Sequence, residues 1–260
     1  MTLLPVLLPV LISIPHGGTQ KPPELDGSMC ITDKALFDDS DPFAIEIYNL
    51  EKKVQSVIKT DIARAFVDLN RSKSDLPPQN PDGLIKSQTC YKEPIYIRER
   101  EPDESMRDIL IKRYYEPYHR AIQKSTNTNL KICLDCHSMA SKAPENSPDM
   151  TSKNRPAFCL SNQDGTTSPS EMIMLLADCI SKSFSVDMNE ISLNDPFHGG
   201  YITRTYGNNP APWIQIEMNR NMYLSKEWFN HDTLTIDKKR LQKLNQMFYN
   251  AILRFCSSWT

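Results

Sequence analysis

The sequence predicts an α/β sandwich built around a mostly parallel sheet. Strand-like apolar runs alternate with helix-length periodic segments along the chain. No internal repeat, low-complexity tract or Gly/Ser-rich linker divides it. Its 260 residues, 39% of them hydrophobic, are enough for a well-formed core, and a single domain over residues 1–260 is expected.

Taken in order, residues 6–14 are a β-branched and Leu-rich run that stops at Pro15, which reads as a buried strand. Residues 42–60 place Ile45, Tyr48, Val54, Val57 and Ile58 near helical spacing after an Asp41-Pro42 start signal, so a helix is expected. Residues 65–69 read as a short strand, and Pro77-Pro78 and Pro81-Asp82-Gly83 mark loop. Residues 103–126 read as a long helix with Met106, Leu110, Tyr114 and Ile122 on one side. Residues 130–134 are a second buried strand and 138–156 a loop. Residues 168–184 read as a helix capped by Ser168 or Ser170. Residues 201–203 and 213–218 read as strands. A closing helix near 234–256 repeats Leu241, Leu244, Phe248, Ile252 and Phe255 at three- and four-residue spacing.

The charge is nearly balanced, 30 Lys+Arg against 32 Asp+Glu. That argues against nucleic acid or an anionic membrane as the main partner, since both need clustered positive charge. The apolar first 14 residues lack a basic flank, are broken by Pro5 and Pro9, and are too short to span a bilayer. They are read as a strand rather than a leader, with a cytoplasmic location expected. An odd count of 7 cysteines without regular spacing fits reduced thiols there.

Three strand candidates run into polar residues. Residues 10–15 lead to His16-Gly17-Gly18, residues 132–136 to His137-Ser138, and residues 213–216 to Glu217. In open α/β sheets the ligand crevice lies at the carboxyl ends of the strands. Neutral imidazole is a good zinc ligand, and a catalytic zinc takes three protein ligands with one position left open. A carboxylate outside the ligand set then moves protons, a role that suits Glu217. The ordinary alternatives are hydrogen-bonded histidines and a strand-end salt bridge.

The motifs themselves resemble a known family. Leu11-Ile12-Ser13-Ile14-Pro15-His16-Gly17-Gly18-Thr19 is similar to the opening motif of the N-formylglutamate amidohydrolases. In the same order follow Asp39-Ser40-Asp41, Val67-Asp68-Leu69-Asn70-Arg71 and Leu134-Asp135-Cys136-His137-Ser138-Met139, then the run from Pro196 to Gly207, and last Ile214-Gln215-Ile216-Glu217-Met218. The resemblance implies a three-layer α/β/α sandwich with a mixed, mostly parallel sheet, like that of the metallocarboxypeptidases. It further implies a zinc-dependent hydrolase, with one Zn2+ per chain, that cleaves an N-acyl amino acid. N-formyl-L-glutamate is the leading substrate, and an association with histidine degradation comes with the family.

On that resemblance His16 and His137 match the metal histidines and Glu217 the catalytic base. Metallocarboxypeptidases place a glutamate three residues after the first histidine, where this chain has Thr19. The third ligand is therefore expected to be Asp41, with Asp39 as the alternative and Glu24 or Asp26 as poorer matches. Arg71 and Arg204 are candidates for holding the oxyanion and the substrate carboxylates, because arginine pairs with carboxylates in bidentate fashion. An ordinary structural ion pair is the other reading of each. Asp68 and Asp135 are expected to orient the histidines.

Other readings are another substrate on the same fold (a different N-acyl amino acid, an amide or a peptide end) and a binding protein without catalysis. Cys133-Leu134-Asp135-Cys136-His137 is formally a haem-attachment pattern, but such sites require export and this one lies in a strand-like apolar run; a redox pair of the two cysteines is disfavoured because residues three apart on a strand face opposite sides. Of the 8 glycines, Gly17, Gly18, Gly199, Gly200 and Gly207 fall in or beside these motifs, where close backbone approach is needed.

Overall fold

The computed structural model describes residues 7–143 and 154–259. The first residue of the predicted 6–14 strand, with Pro5 before it, and most of the predicted 138–156 loop lie outside the described residues. Six strands form one sheet: β1 (Leu8–Ile14), β2 (Val54–Lys59), β3 (Ile132–Met139), β4 (Phe158–Ser161), β5 (Ile191–Leu193) and β6 (Trp213–Asn219). Their order is β2-β1-β3-β6-β4-β5. The first four in that order run parallel, β4 pairs antiparallel with β6, and β5 follows β4 in parallel. This is the mixed, mostly parallel sheet that the sequence predicts.

The central strands are buried on both faces because both are covered. Val10, Ile12 and Ile14 of β1, Ile132, Leu134 and Cys136 of β3, and Ile214, Ile216 and Met218 of β6 point into one core. Packed with them are α2 (Ala44–Tyr48), α5 (Ser170–Phe184) and α8 (Lys238–Ser258). Leu11, Cys133 and Trp213 point the other way, into a second core. That core holds α1 (Asp33–Asp39), α6 (Tyr201–Tyr206) and a long helix made of α3 (Glu104–Leu110), a π-helical stretch (Ile111–Tyr115) and α4 (Glu116–Ser125). The result is three layers. Each fully buried Ile or Leu of these strands contributes roughly 1.5–3 kcal/mol of transfer free energy. A short α7 (Asn221–Leu224) and a small hairpin of β7 (Phe229–Asn230) and β8 (Thr235–Ile236) precede α8.

Several elements differ from expectation. Residues 42–60 hold a five-residue helix and then an edge strand, not one helix. Val54, Val57 and Ile58 imitate helical spacing because β2 is only partly covered. Residues 65–69 are irregular rather than a strand. Residues 201–203 open α6 instead of forming a strand, since the amide of Ile202 donates to Asn70 Oδ1 (2.7 Å) and Gly200 N to the Gln215 side chain. The α5 N-cap is Pro169, with no side-chain cap from Ser168 or Ser170.

Cys133 and Cys136 face different cores and all the cysteines are free thiols, as an alternating strand requires. Among the described residues no helix is long and apolar enough to cross a membrane.

Candidate metal centre and active site

Strand alternation builds most of the site. On β3, Asp135 and His137 share the face that continues from Cys133, and on β6 Gln215 and Glu217 share the face of Trp213. His137 and Glu217 are cross-strand partners in the β3–β6 register. His16 follows β1 after Pro15, and its carbonyl accepts from the amide of Asp41 (3.0 Å), which brings the loop between α1 and α2 to the strand end. Tyr48 of α2 donates to the His137 carbonyl (2.9 Å), fixing the backbone beneath that ring.

His16, Asp41 and His137 converge, all buried. The Nδ1 atoms of the two histidines are 3.2 Å apart, and Asp41 Oδ2 lies 3.1 Å from His137 Nδ1 and 3.4 Å from His16 Nδ1. The opposite nitrogen of each ring faces a carboxylate. His16 Nε2 is 2.8 Å from Asp68 Oδ1, and His137 Nε2 is 3.2 Å from Asp135 Oδ1. With a cation at the spot that Asp41 and the two Nδ1 atoms share, each Nε2 would carry its ring's proton toward the carboxylate it faces. Two imidazole Nδ1 atoms and a carboxylate oxygen thus converge on one spot, an arrangement that can hold a cation. Ligands at about 2.0–2.1 Å in a tetrahedral centre stand about 3.3–3.4 Å apart, close to the three separations seen here. The donor set fits a zinc-like ion.

The electrostatics agree. Burial opposes ionisation of Asp41, yet hydrogen bonds and charge from His137 and His16 hold its carboxyl well below the ordinary value. Burial also disfavours the cationic form of His137, but the adjoining Asp135 and Asp41 push its pKa well above the usual imidazole range. The Asp68 carboxyl, although buried, is held well below its ordinary value by His16 and Arg64. Glu217 behaves in the opposite way: burial pushes its carboxyl up to about 7. Gln215 Nε2 donates to Glu217 Oε1 (2.9 Å), leaving Oε2 without that partner.

These groups line a cavity of about 270 Å3 that also includes Arg64, Asn70, Arg71, Phe197, His198, Gly199 and Gly200. A neighbouring cavity of about 510 Å3 shares Arg64, Arg71, Ser138 and Phe197 with it and adds Arg155 and Arg220 together with Asp38 and Asp82, so the adjoining walls carry arginines interleaved with carboxylates. Gly200 is needed for its lack of a side chain. A Cβ there would stand 2.3 Å from Asn70 Nδ2, which lies 3.1 Å from His137 Nε2.

Of the residues singled out in the sequence, His16, Asp41, His137, Glu217 and Arg71 meet in this cleft. Asp39 points away, into a fully buried pair with Lys86 (2.9 Å). Glu24 is engaged by Arg113 and Tyr114, and Asp26 and Thr19 are exposed. Arg71 is held by Asp82 (3.2 Å), and its buried Nε is ion-paired with Asp68 (3.5 Å). Arg204 is exposed on α6 and lines neither cavity. Asp68 and Asp135 stand against the two histidine Nε2 atoms, where the sequence expects them.

Sequence reasoning missed Arg64, whose Nε is 2.9 Å from Asp68 Oδ2, as well as Gln215, Ser138 and Arg220. Arg64 has one available signal, its spacing four residues before Asp68. Ser138 and Gln215 lie inside the quoted motifs. Arg220 lies beyond them.

Residues 8–224 match the sequence profile of the N-formylglutamate amidohydrolase family. The chain is 26% identical over 231 residues to N-formylglutamate deformylase of Pseudomonas aeruginosa, covering 85% of this chain and 84% of that protein. It is 24% identical over 230 residues to N-formylglutamate deformylase of Pseudomonas putida, covering 84% and 83%. Its fold is shared by the crystal structure of N-formylglutamate amidohydrolase from Ralstonia eutropha, with a TM-score of 0.78 at 22% identity over 97% of this chain and 94% of that one.

Proposed function

The chain belongs to the N-formylglutamate amidohydrolase family, and we propose that it hydrolyses the amide of an N-acyl amino acid, N-formyl-L-glutamate foremost, using one zinc ion held by His16, Asp41 and His137. The carrying observation is the convergence of two imidazole Nδ1 atoms and one carboxylate oxygen, with a buried glutamate on the adjoining strand. Zinc in that donor set supplies Lewis acidity, polarising the acyl carbonyl and lowering the pKa of a water molecule toward about 7.

The remaining work falls to side chains of this protein. Glu217 Oε2 takes a proton from the attacking water and delivers it to the departing amine nitrogen. A carboxyl raised to about 7 by burial is suited to both halves of that transfer. Gln215 orients the Glu217 carboxylate through Oε1. Asp68 and Asp135 keep the protons of His16 and His137 on Nε2, so that both Nδ1 lone pairs stay available. Arg71, braced by Asp82 (3.2 Å) and Asp68 (3.5 Å) at the cavity wall, offers its guanidinium to a substrate carboxylate. The arginines that line the adjoining cavities suit a substrate that carries carboxylates. Water adds across the amide C–N bond, and formate and L-glutamate leave.

Release of the free amino acid should be measured with N-formyl-L-glutamate, N-acetyl-L-glutamate and N-formyl-L-leucine as parallel substrates of zinc-loaded protein. Turnover of the first well above the other two is the expected result. Preference for the acetyl or the leucine compound would move the activity to another N-acyl amino acid. Absence of turnover on all three would overturn the enzymatic reading.

A further inference from the structure

We infer that Arg220, acting with Ser138, is a positioning residue that aims the Asp41 carboxylate at the two histidines and thereby sets the affinity of the metal centre. The inference rests on the reading that His16, Asp41 and His137 hold a metal ion.

Asp41 differs from the other two members of the set in where it sits. His137 lies within a central strand and His16 two residues beyond one, whereas Asp41 is on the loop between α1 and α2. A carboxylate on a loop needs an external tether to hold one oxygen toward a metal. Arg220 and Ser138 provide it. Arg220 Nη2 donates to Asp41 Oδ1 (3.1 Å), and Ser138 Oγ donates to the same oxygen (3.1 Å). Arg220 Nε in turn donates to Ser138 Oγ (3.0 Å), so the hydroxyl proton is directed at Asp41. With Oδ1 engaged by two donors, Oδ2 is left to face His16 and His137.

The tether reaches the sheet as well as the loop. Arg220 Nη1 donates to the carbonyl of Asp38 (3.0 Å), and the Arg220 amide donates to the Met139 carbonyl (2.9 Å), next to the end of the β3–β6 ladder. Ser138 is the neighbour of His137, and Arg220 lies three residues after Glu217. One guanidinium therefore joins the loop that carries Asp41 to the strands that carry the histidine and the proposed base. Arginine is required here because three donors of a rigid fork point at different acceptors, a pattern that a lysine ammonium does not reproduce.

The test is zinc affinity, measured by competition with a chromogenic chelator, in the full chain and its Ser138→Ala and Arg220→Lys variants. Both variants keep the net charge at the site, so a change reports geometry rather than charge. A loss of roughly 10–100-fold in each, the usual range for groups that orient a ligand, is expected. The visible spectrum of the cobalt-loaded protein should shift with it. Urea midpoints of the metal-free variants should stay near the parent value. If Arg220→Lys does not fold, Ser138→Ala decides alone.

Wild-type protein that binds zinc, with variants of equal affinity and unchanged cobalt spectra, would overturn the inference alone. Unchanged zinc affinity with a raised KM for N-formyl-L-glutamate would also overturn it, making Arg220 a substrate contact. Wild-type protein that binds no zinc would overturn the metal reading itself, and the inference with it.

Discussion

His119 offers a test of how the loop bearing Asn70 and Arg71 is held. The imidazole is on the buried face of α4, with Nε2 3.0 Å from the Leu69 carbonyl and Nδ1 2.8 Å from the Tyr206 hydroxyl. The neutral ring satisfies that pairing by donating at Nε2 and accepting at Nδ1 from the Tyr206 hydroxyl. Burial accordingly lowers its pKa to about 4 from the model-compound value of 6.5. Between those values the unfolded chain binds the proton that the folded chain refuses, so stability rises with pH. The contribution is fully present above pH 6.5 and is lost as pH falls toward 4. For this pair of values, linkage gives a loss of about 2 kcal/mol on going from pH 7 to pH 5.

His119→Gln keeps a donor and an acceptor but cannot titrate. Urea unfolding of metal-free wild type and variant, followed by circular dichroism at pH 7 and pH 5, isolates the difference. The wild type should lose about 2 kcal/mol more than the variant over that interval. Parallel loss in the two proteins would refute a buried neutral His119.

Glu217→Gln should reduce formate release by roughly two to four orders of magnitude while zinc stays bound, since the residue is cast as the proton carrier and not as a ligand. Loss of zinc in that variant would reassign Glu217. Gly200→Ala should fold yet push Asn70 from His137, because the added Cβ meets Asn70 Nδ2 at 2.3 Å. A fall in kcat/KM of roughly tenfold, about 1.4 kcal/mol, is expected in steady-state assays. Lys86→Met leaves Asp39 buried without its cation. It should lower stability by about 3–5 kcal/mol in denaturant titration.

Much of the fold is legible because the central strands are buried on both faces. A largely apolar run such as residues 10–14 or 132–136 has few other ways to fold, and the closing helix repeats its apolar residues over about four turns. What escapes notice is short or set by tertiary contacts. Strands β4 and β5 have 4 and 3 residues, too few to show a period. The β-branched residues of 201–205 favour a strand locally, but the contacts of Gly200 and Ile202 with Gln215 and Asn70 impose a helix.

At the site, the polar residues that end apolar strands are visible in the sequence because charge there has little structural reason. Asp41 is legible only through its motif, since no spacing rule places a loop carboxylate beside His16. Arg220 is invisible for a related reason. Its value lies in three acceptors contributed by Asp38, Asp41 and Ser138, which the fold alone brings together.

The most direct measurement is formate release from N-formyl-L-glutamate by chelator-stripped protein titrated with zinc. Activity should be absent at the start and rise linearly to a plateau at one equivalent per chain, with no rise in the His137→Ala variant. Full activity in the stripped protein, or the same titration curve in His137→Ala, would contradict catalysis at the His16–Asp41–His137 centre.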